Sequence, residues 1–309
     1  MNNEIKLEVA EKYVAKRLDT FISNSLKDIS RTRIQRLVKD NLILVNKKSA
    51  KSGYKLKADD EILISLPDLE EAKAEPENIK LEVIHEDKDL IVINKPQGMV
   101  THPASGVYKG TLVNALLYHC RDSLSGINGV LRPGIVHRLD KETSGLIIAC
   151  KNDKSHIEIA EQIKNKKLKR QYLAVVHGEV KYSQGVINKP IGRDKKQRHK
   201  MAVVQGGRIA ITHWKVVKTL HVTSLQKKYT LLECTLETGR THQIRVHMAS
   251  IGYSIAGDKT YGKKNDPIDT MMLHAYKLTF IHPRTKKEIR LETKVPKRFS
   301  IFLESNNCK

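Results

Sequence analysis

The spacing of apolar residues predicts two short helices near the start of the chain, followed by strands. Apolar side chains recur three or four positions apart over the first helix, at Leu18, Phe21, Ile22 and Leu26. A second helix begins after Ser30, a suitable N-cap, and extends to about Asp40. Its apolar face consists of Ile34, Leu37 and Val38. Strand-like runs at 43–45 and 61–66, around a turn at 46–48, complete a small independent unit.

From residue 81 onward the pattern favours strands. They are predicted at 90–96, 146–150, 170–176, 212–218, 229–237, 243–248 and 273–282. Helices are predicted at 113–119 and from Asn152 or Asp153 to about Lys166, with a loop at 98–103 and a basic, turn-rich segment at 185–205. Many strands with few helices between them predict an α+β fold with a mixed or antiparallel sheet rather than a βαβ array.

Charge divides the chain into segments. Residues 27–57 hold ten basic and two acidic side chains, whereas residues 59–77 hold eight acidic side chains and only one lysine. Residues 151–218 are basic again, with 17 basic and five acidic side chains. We therefore predict an N-terminal domain at 13–66, an acidic linker at 67–78 and a larger domain at 79–304.

A net charge of +22 on 309 residues indicates a polyanionic partner. A membrane is the weaker candidate, because no apolar run approaches the roughly 20 residues of a spanning helix and the N-terminus lacks a signal pattern. The four cysteines are scattered and form no CxxC pair, which is typical of a reducing cytoplasm and argues against a zinc cluster or a disulfide framework. Nothing in the sequence indicates an oligomer, so we expect a monomer.

The strongest candidate for chemistry is Asp140, in the segment H-R-L-D-K-E-T-S-G at 137–145. It lies between Arg138 and Lys141, after a Pro-Gly turn and before the apolar run at 146–150. An isolated aspartate beside an arginine is most often an ion-paired loop residue. The alternative is a reactive carboxylate at a sheet edge, surrounded by cations that bind a polyanion.

Three further segments favour the reactive carboxylate. K-R-Q-Y at 169–172 ends in Tyr172, N-K-P-Q-G at 94–98 is a tight loop after a strand, and T-G-R-T-H-Q-I-R-V-H spans 238–247. In the last segment Arg245 is predicted on a strand, with Ile244 and Val246 on the opposite face. Each segment alone is a weak signal, since a strand arginine is usually a surface ion pair and a tyrosine usually core.

Together these segments resemble the RluA/RluD family of pseudouridine synthases, and most closely the RluD branch, which modifies large-subunit ribosomal RNA. The resemblance covers residues 13–300. At the N-terminus R-L-D, S-R-T-R-I, V-N-K and K-L-K-A-D-D-E-I resemble the S4 RNA-binding domain, which implies that the second helix contacts RNA through Arg31, Arg33, Arg36 and Lys39.

The resemblance implies that uridine is isomerised to pseudouridine, with the glycosidic bond moved from N1 to C5, without a metal or other cofactor. Asp140 matches the family's catalytic aspartate, which acts as a nucleophile on the ribose or the base, or deprotonates the sugar. Tyr172 would stack on the flipped uracil and Arg245 would pair with Asp140. Arg138 would fill the vacated stack or hold the backbone, and Arg240 would contact a phosphate.

Other functions remain compatible with the basic surfaces. A non-catalytic ribosome-assembly factor would use the same charges but would not require Asp140, Tyr172 and Arg245 together. A transfer-RNA substrate is a second alternative. A metal-dependent hydrolase is disfavoured, because His242 and His247 are predicted on opposite faces of a strand and no Cys-His cluster accompanies them.

Overall fold

The chain forms two compact units, Met1–Glu71 and Ala72–Lys309, in a computed structural model. The structure describes residues 3–26, 29, 31–66, 74–104, 106–121, 123–129, 131–222 and 227–304. The predicted N-cap Ser30 and most of the predicted linker, residues 67–73, lie outside the described residues.

The N-terminal unit contains two helices and a four-stranded antiparallel sheet. Its elements are β1 (Asn3–Glu8), α1 (Leu18–Ser25), α2 (Arg31–Lys39), β2 (Ile43–Val45), β3 (Lys48–Ser49) and β4 (Glu61–Leu66). The strand order is β1-β4-β2-β3. Apolar residues predicted for the two helices, including Leu18, Ile22 and Ile34, share one buried core with Ile62 and Ile64 of β4. Since β1 pairs with β4, this unit begins before the predicted boundary at residue 13.

A buried carboxylate joins the two N-terminal helices. Asp19 of α1 accepts hydrogen bonds from Arg17, from Gln35 of α2 at 2.8 Å, and from Arg31 at the start of α2. These bonds hold the pKa of the Asp19 carboxyl well below its usual range. Arg31, which the sequence assigns to RNA, therefore also has a structural partner, whereas Lys39 is exposed. The side chains of Arg33 and Arg36 lie outside the described residues.

The larger unit is built on a mixed sheet that contains nine strands in its described part. The described strands of this unit, nine in the sheet and two in a separate hairpin, are β5 (Val83–Glu86), β6 (Leu90–Lys95), β7 (Ser144–Cys150), β8 (Lys169–His177), β9 (Gln184–Asn188), β10 (Ile191–Arg193), β11 (Met201–Val203), β12 (Ile211–Val222), β13 (Lys227–Leu236), β14 (Leu273–Ile281) and β15 (Glu288–Glu292). Its helices are α3 (Leu112–Cys120), α4 (Asp153–Lys164), α5 (Gln243–Ser250) and α6 (Lys297–Glu304).

Strand pairing confirms the α+β prediction. The sheet order is β5-β6-β7-β14-β8-β13-β12-β9, with β15 beside β14, and β10 and β11 form a separate hairpin. The described pairs are antiparallel except β7 with β14. The basic segment predicted as turn-rich at 185–205 therefore contains β9 from Gly185 onward and the β10–β11 hairpin.

The interior strand β7 is buried along its whole length because both faces of the sheet are covered there. Ile147 and Ala149 share a core with α3, whereas Leu146 and Ile148 share another with Ile159 of α4. Gly145 adopts φ +114°, and a Cβ there would lie 2.1 Å from the Ala275 carbonyl oxygen of β14. Only glycine permits this close parallel pairing, which fixes the loop that precedes β7.

One predicted strand is wrong: residues 243–248 belong to the helix α5. Alternating apolar residues in so short a run fit a strand and a buried helix equally well. In the helix Ile244 and Met248 face the main core, one turn apart, while Val246 packs in a different cluster. The side chain of Gln243 fixes the start of α5, since it accepts a hydrogen bond from the Arg240 N–H and donates to the Ile211 carbonyl.

The end of the predicted linker packs against the larger unit. Ala74 is buried in its main core, and the Glu75 carbonyl accepts a hydrogen bond from Asn114 of α3. Within the described residues no helix is both long and apolar enough to cross a membrane.

Candidate active site

The five residues assigned to substrate chemistry line one cleft of about 570 Å³ in the larger unit. They are Asp140, Arg138, Tyr172, Arg240 and Arg245. The cleft is formed by the loop before β7, the start of β8, and the segment that joins β13 to α5. Its volume is in the range of pockets that hold small ligands, so a single nucleotide fits.

The loop that carries Asp140 is fixed on both sides of this residue. Thr101 Oγ1 donates a hydrogen bond to the Leu139 carbonyl at 2.7 Å, and the Gly98 N–H donates to the Lys141 carbonyl at 2.8 Å. The Thr143 N–H closes a turn on the Asp140 carbonyl. The carboxylate therefore projects from a pinned backbone, with 16% of its side chain exposed.

A buried lysine supports the same loop. Lys95 ends β6 with its ammonium group donating to the Pro96 and Met99 carbonyls at 2.8 Å, and its Nζ lies 3.4 Å from the Lys141 carbonyl. Burial lowers its pKa to about 7, although the negative charges of Asp140 and Glu142 act in the opposite direction. The lysine of the N-K-P-Q-G segment therefore connects the end of β6 to the loop that carries Asp140.

Arg245 connects Asp140 to a second carboxylate. Its Nε and Nη2 donate to the two oxygens of Asp258 at 2.7 and 2.8 Å, and its Nη1 donates to Asp140 Oδ2 at 3.2 Å. Burial alone would lower the pKa of this guanidinium, but the two carboxylates raise it well above its usual range. The bidentate pair with Asp258 therefore orients Arg245 towards Asp140.

Sequence reasoning missed Asp258, which is fully buried. Burial opposes ionisation of its carboxyl, but Arg245 and the N–H groups of Thr260 and Tyr261 lower its pKa. A lone aspartate 13 residues after Arg245 carries no motif of its own. Its contact with Arg245 joins the helix α5 to the segment that follows it, and the predicted strand at 243–248 gave no indication of this contact.

His242 lies on the other side of Asp140. It occupies the N-cap of α5 in a left-handed conformation, with Nε2 3.9 Å from Asp140 Oδ1. Its Nδ1 lies 2.7 Å from Tyr261 Oη, which accepts a hydrogen bond from the Met201 N–H of β11. Tyr261 therefore links His242 to β11, and the hydrogen bond at Nδ1 holds the ring with Nε2 facing the Asp140 carboxylate.

The two histidines considered as metal ligands are committed to protein contacts. His247 Nδ1 bonds with Thr212 Oγ1 and its Nε2 with the Lys189 carbonyl, both at 2.9 Å. The expected placement on opposite faces of a strand is wrong, since His242 caps α5 and His247 lies within it.

Tyr172 is 5% exposed and lines the cleft. Burial, with a contribution from the negative charge of Asp140, raises its pKa to about 12. Its phenol is therefore neutral near pH 7 and presents an aromatic ring rather than a base. Arg138 is exposed, and Arg240 is half-buried with its Nε donating to the Ile209 carbonyl at 3.0 Å.

The chain is similar to known proteins over nearly its whole length. Residues 89–250 match the family model described as RNA pseudouridylate synthase, and residues 16–62 match the S4 domain. The chain is 45% identical over 304 residues to an uncharacterized RNA pseudouridine synthase, YlyB, of Bacillus subtilis, covering 98% of each chain. It is 39% identical to ribosomal large subunit pseudouridine synthase D of Zymomonas mobilis, covering 97% of this chain and 96% of that one.

A solved structure of human RNA pseudouridylate synthase domain containing 1 is similar, with a TM-score of 0.56 and 25% identity over 70% of this chain and 84% of that one. The chain belongs to the RNA pseudouridylate synthase family, in the class that carries an N-terminal S4 domain. It is therefore an RNA-modifying enzyme rather than a non-catalytic binding factor.

Proposed function

We propose that this enzyme converts specific uridines of large-subunit ribosomal RNA to pseudouridine, with Asp140 as the catalytic carboxylate. The observation that carries the proposal is the Asp140–Arg245–Asp258 arrangement in a cleft of nucleotide size. The ribosomal substrate is supported by relatives named large subunit pseudouridine synthase D. We place the reaction in the cytoplasm, on ribosomal RNA free or in assembling particles, with the enzyme acting as a monomer.

The residues of the cleft suit an isomerisation. The N1–C1′ bond of uridine breaks, a C5–C1′ bond forms, C5 loses its proton and N1 gains one, so atoms and electrons balance without a cofactor. Asp140 would act on the ribose or the base. The uridine must first leave its stack, and Tyr172 would receive the uracil ring, which contributes about 1–3 kcal/mol. Arg138 would hold the vacated position and Arg240 a phosphate.

The direct test is to incubate the purified protein with unmodified large-subunit ribosomal RNA and, separately, with a transfer-RNA pool. Pseudouridines are then mapped by reverse-transcription stops after carbodiimide treatment. New stops in ribosomal RNA alone support the proposal and identify the uridines. New stops confined to transfer RNA would identify transfer RNA as the substrate. Stops that form in isolated ribosomal precursors but not in naked RNA would identify an assembling particle as the substrate.

A second prediction concerns the N-terminal unit. Replacing Arg33, Arg36 and Lys39 of α2 together with glutamine should weaken RNA binding and reduce the slope of log affinity against log salt by about 2–3, because fewer phosphates are contacted. Glutamine preserves helix propensity. Filter binding between low and moderate salt measures the slope. Arg31 is left in place because it also pairs with Asp19.

The matched control removes three exposed charges elsewhere, at Lys287, Arg290 and Lys294. That variant should keep the wild-type slope within the error of the measurement. Equal slopes for wild type and the α2 variant would remove this helix from the RNA interface.

A further inference from the structure

Arg170 is a buried cation, and the described part of the chain contains no anionic partner for it. It lies at the start of β8, is 5% exposed and lines the cleft. Its Nε is buried without a hydrogen-bond partner, and among the described residues no carboxylate pairs with its guanidinium. An unpaired buried charge is strongly unfavourable, so its place in the cleft requires an explanation.

A second unsatisfied donor lies beside it. His137 Nε2 accepts the N–H of Ile148 at 3.2 Å, so the proton of the neutral ring resides on Nδ1. Burial lowers the pKa of His137 to about 3, and the charge of Arg170 contributes in the same direction. Nδ1 is buried and has no partner within the described residues. His137 and Arg170 thus place two unsatisfied N–H groups and one positive charge in the wall of the same cleft.

The cleft around Arg170 contains little negative charge. Asp140 is the single acidic residue among the described residues that line the cleft, and Arg245 already pairs with it. Arg170 and Tyr172 are two residues apart on β8 and therefore face the same side of the sheet. Whatever binds Arg170 therefore adjoins the group that contacts Tyr172.

We propose that Arg170 and His137 form a subsite for a phosphodiester that flanks the target uridine. A phosphate supplies both the negative charge and the oxygen acceptors that these groups lack, whereas a uracil carbonyl supplies only an acceptor. The subsite holds the backbone of the extruded nucleotide next to Asp140. This inference rests on the proposed function, because it takes the cleft to receive a uridine from RNA.

The test uses the full-length enzyme and a short RNA that contains a uridine mapped in the experiment above. Arg170→Met should weaken binding at least tenfold and reduce the salt slope by about 0.7–0.9, the value for one phosphate. Arg290→Met, which removes an exposed charge outside the cleft, should change neither quantity. Circular dichroism confirms that each variant is folded.

Neutral methylphosphonate linkages identify the partner. One RNA carries the replacement at the phosphate 5′ to the target uridine, and a second carries it at the phosphate 3′ to the uridine. One of the two modified RNAs should bind wild type more weakly than unmodified RNA does. The factor should equal the loss of affinity that Arg170→Met causes on unmodified RNA. Arg170→Met should lose nothing further on that RNA, as a double-mutant cycle requires for two groups in contact.

Gly239→Ala provides a variant that keeps the charge. A Cβ at Gly239 would lie 2.8 Å from Arg170 Nη1, so the guanidinium must move. Gly239→Ala should therefore bind RNA more weakly than wild type. The methylphosphonate at the affected linkage should reduce the affinity of this variant by a smaller factor than it reduces the affinity of wild type. This variant, with Arg170→Lys, replaces Arg170→Met if that protein does not fold.

Two results overturn the subsite. In the first, the affinity losses caused by Arg170→Met and by the methylphosphonate multiply at both linkages, which would show that Arg170 contacts neither phosphate. In the second, Arg170→Met weakens binding but leaves the salt slope unchanged, which would assign Arg170 to a uracil carbonyl. Both are binding results on RNA. They remain distinct from failure of the proposed function, in which wild type forms no pseudouridine at all.

Discussion

Replacing Asp140 with asparagine is expected to reduce pseudouridine formation by about 10³-fold or more while leaving RNA affinity within a few-fold of wild type. Asparagine has nearly the same shape but is neither a nucleophile nor a base. The cleft still presents Tyr172 and its arginines to the RNA. Single-turnover rates on ribosomal RNA and filter binding measure the two quantities separately.

Glu142 offers a matched control. It is exposed and lies two residues from Asp140 on the same loop, so Glu142→Gln removes a neighbouring negative charge without entering the cleft. That variant should retain near-normal turnover. A rate above one tenth of wild type for Asp140→Asn would show that another group performs the chemistry.

Much of the fold follows from the sequence where apolar runs are long or carry clear end signals. The predicted strand at 146–150 lies within β7, and Asn152 caps α4 through a hydrogen bond from the Ser155 N–H. Local patterns suffice in these places, because burial on both faces and a capping side chain leave a signature within a few residues.

The candidate site is less accessible to such reasoning. Arg245 was identified by its motif, but the alternating residues around it indicated a strand, and the structure shows a helix. Its contacts with Asp140 and Asp258 span 105 and 13 residues of sequence. Apolar periodicity reports which face of an element is buried. It does not report which charged groups meet across a cleft, and so Asp258 and Arg170 went unrecognised.

Changing Arg245 to lysine is expected to reduce kcat about 100-fold with a much smaller change in KM. A lysine keeps the positive charge but has no planar fork, so it cannot hold Asp258 through two bonds and reach Asp140 as well. A displacement of the catalytic group by about 1 Å costs a factor of this size. Rates on RNA at saturating and limiting concentrations separate kcat from KM.

Arg245→Ala is a poorer probe of orientation, although it too should reduce turnover strongly. It leaves Asp258 buried and unpaired, which costs about 3–5 kcal/mol of stability, so lost activity would also reflect unfolding.

Asp258→Asn tests whether Asp140 is held through Arg245. The asparagine can accept one hydrogen bond from Arg245 but carries no charge, so the guanidinium is held less firmly and kcat should fall about tenfold. Asp258 does not line the cleft, and Arg245 is the residue that bonds both to it and to Asp140. A purely structural role would lower the melting temperature without changing the rate of the folded fraction. Wild-type kcat in folded Asp258→Asn, at a temperature well below its melting transition, would contradict the proposed orientation of Asp140 by this pair of residues.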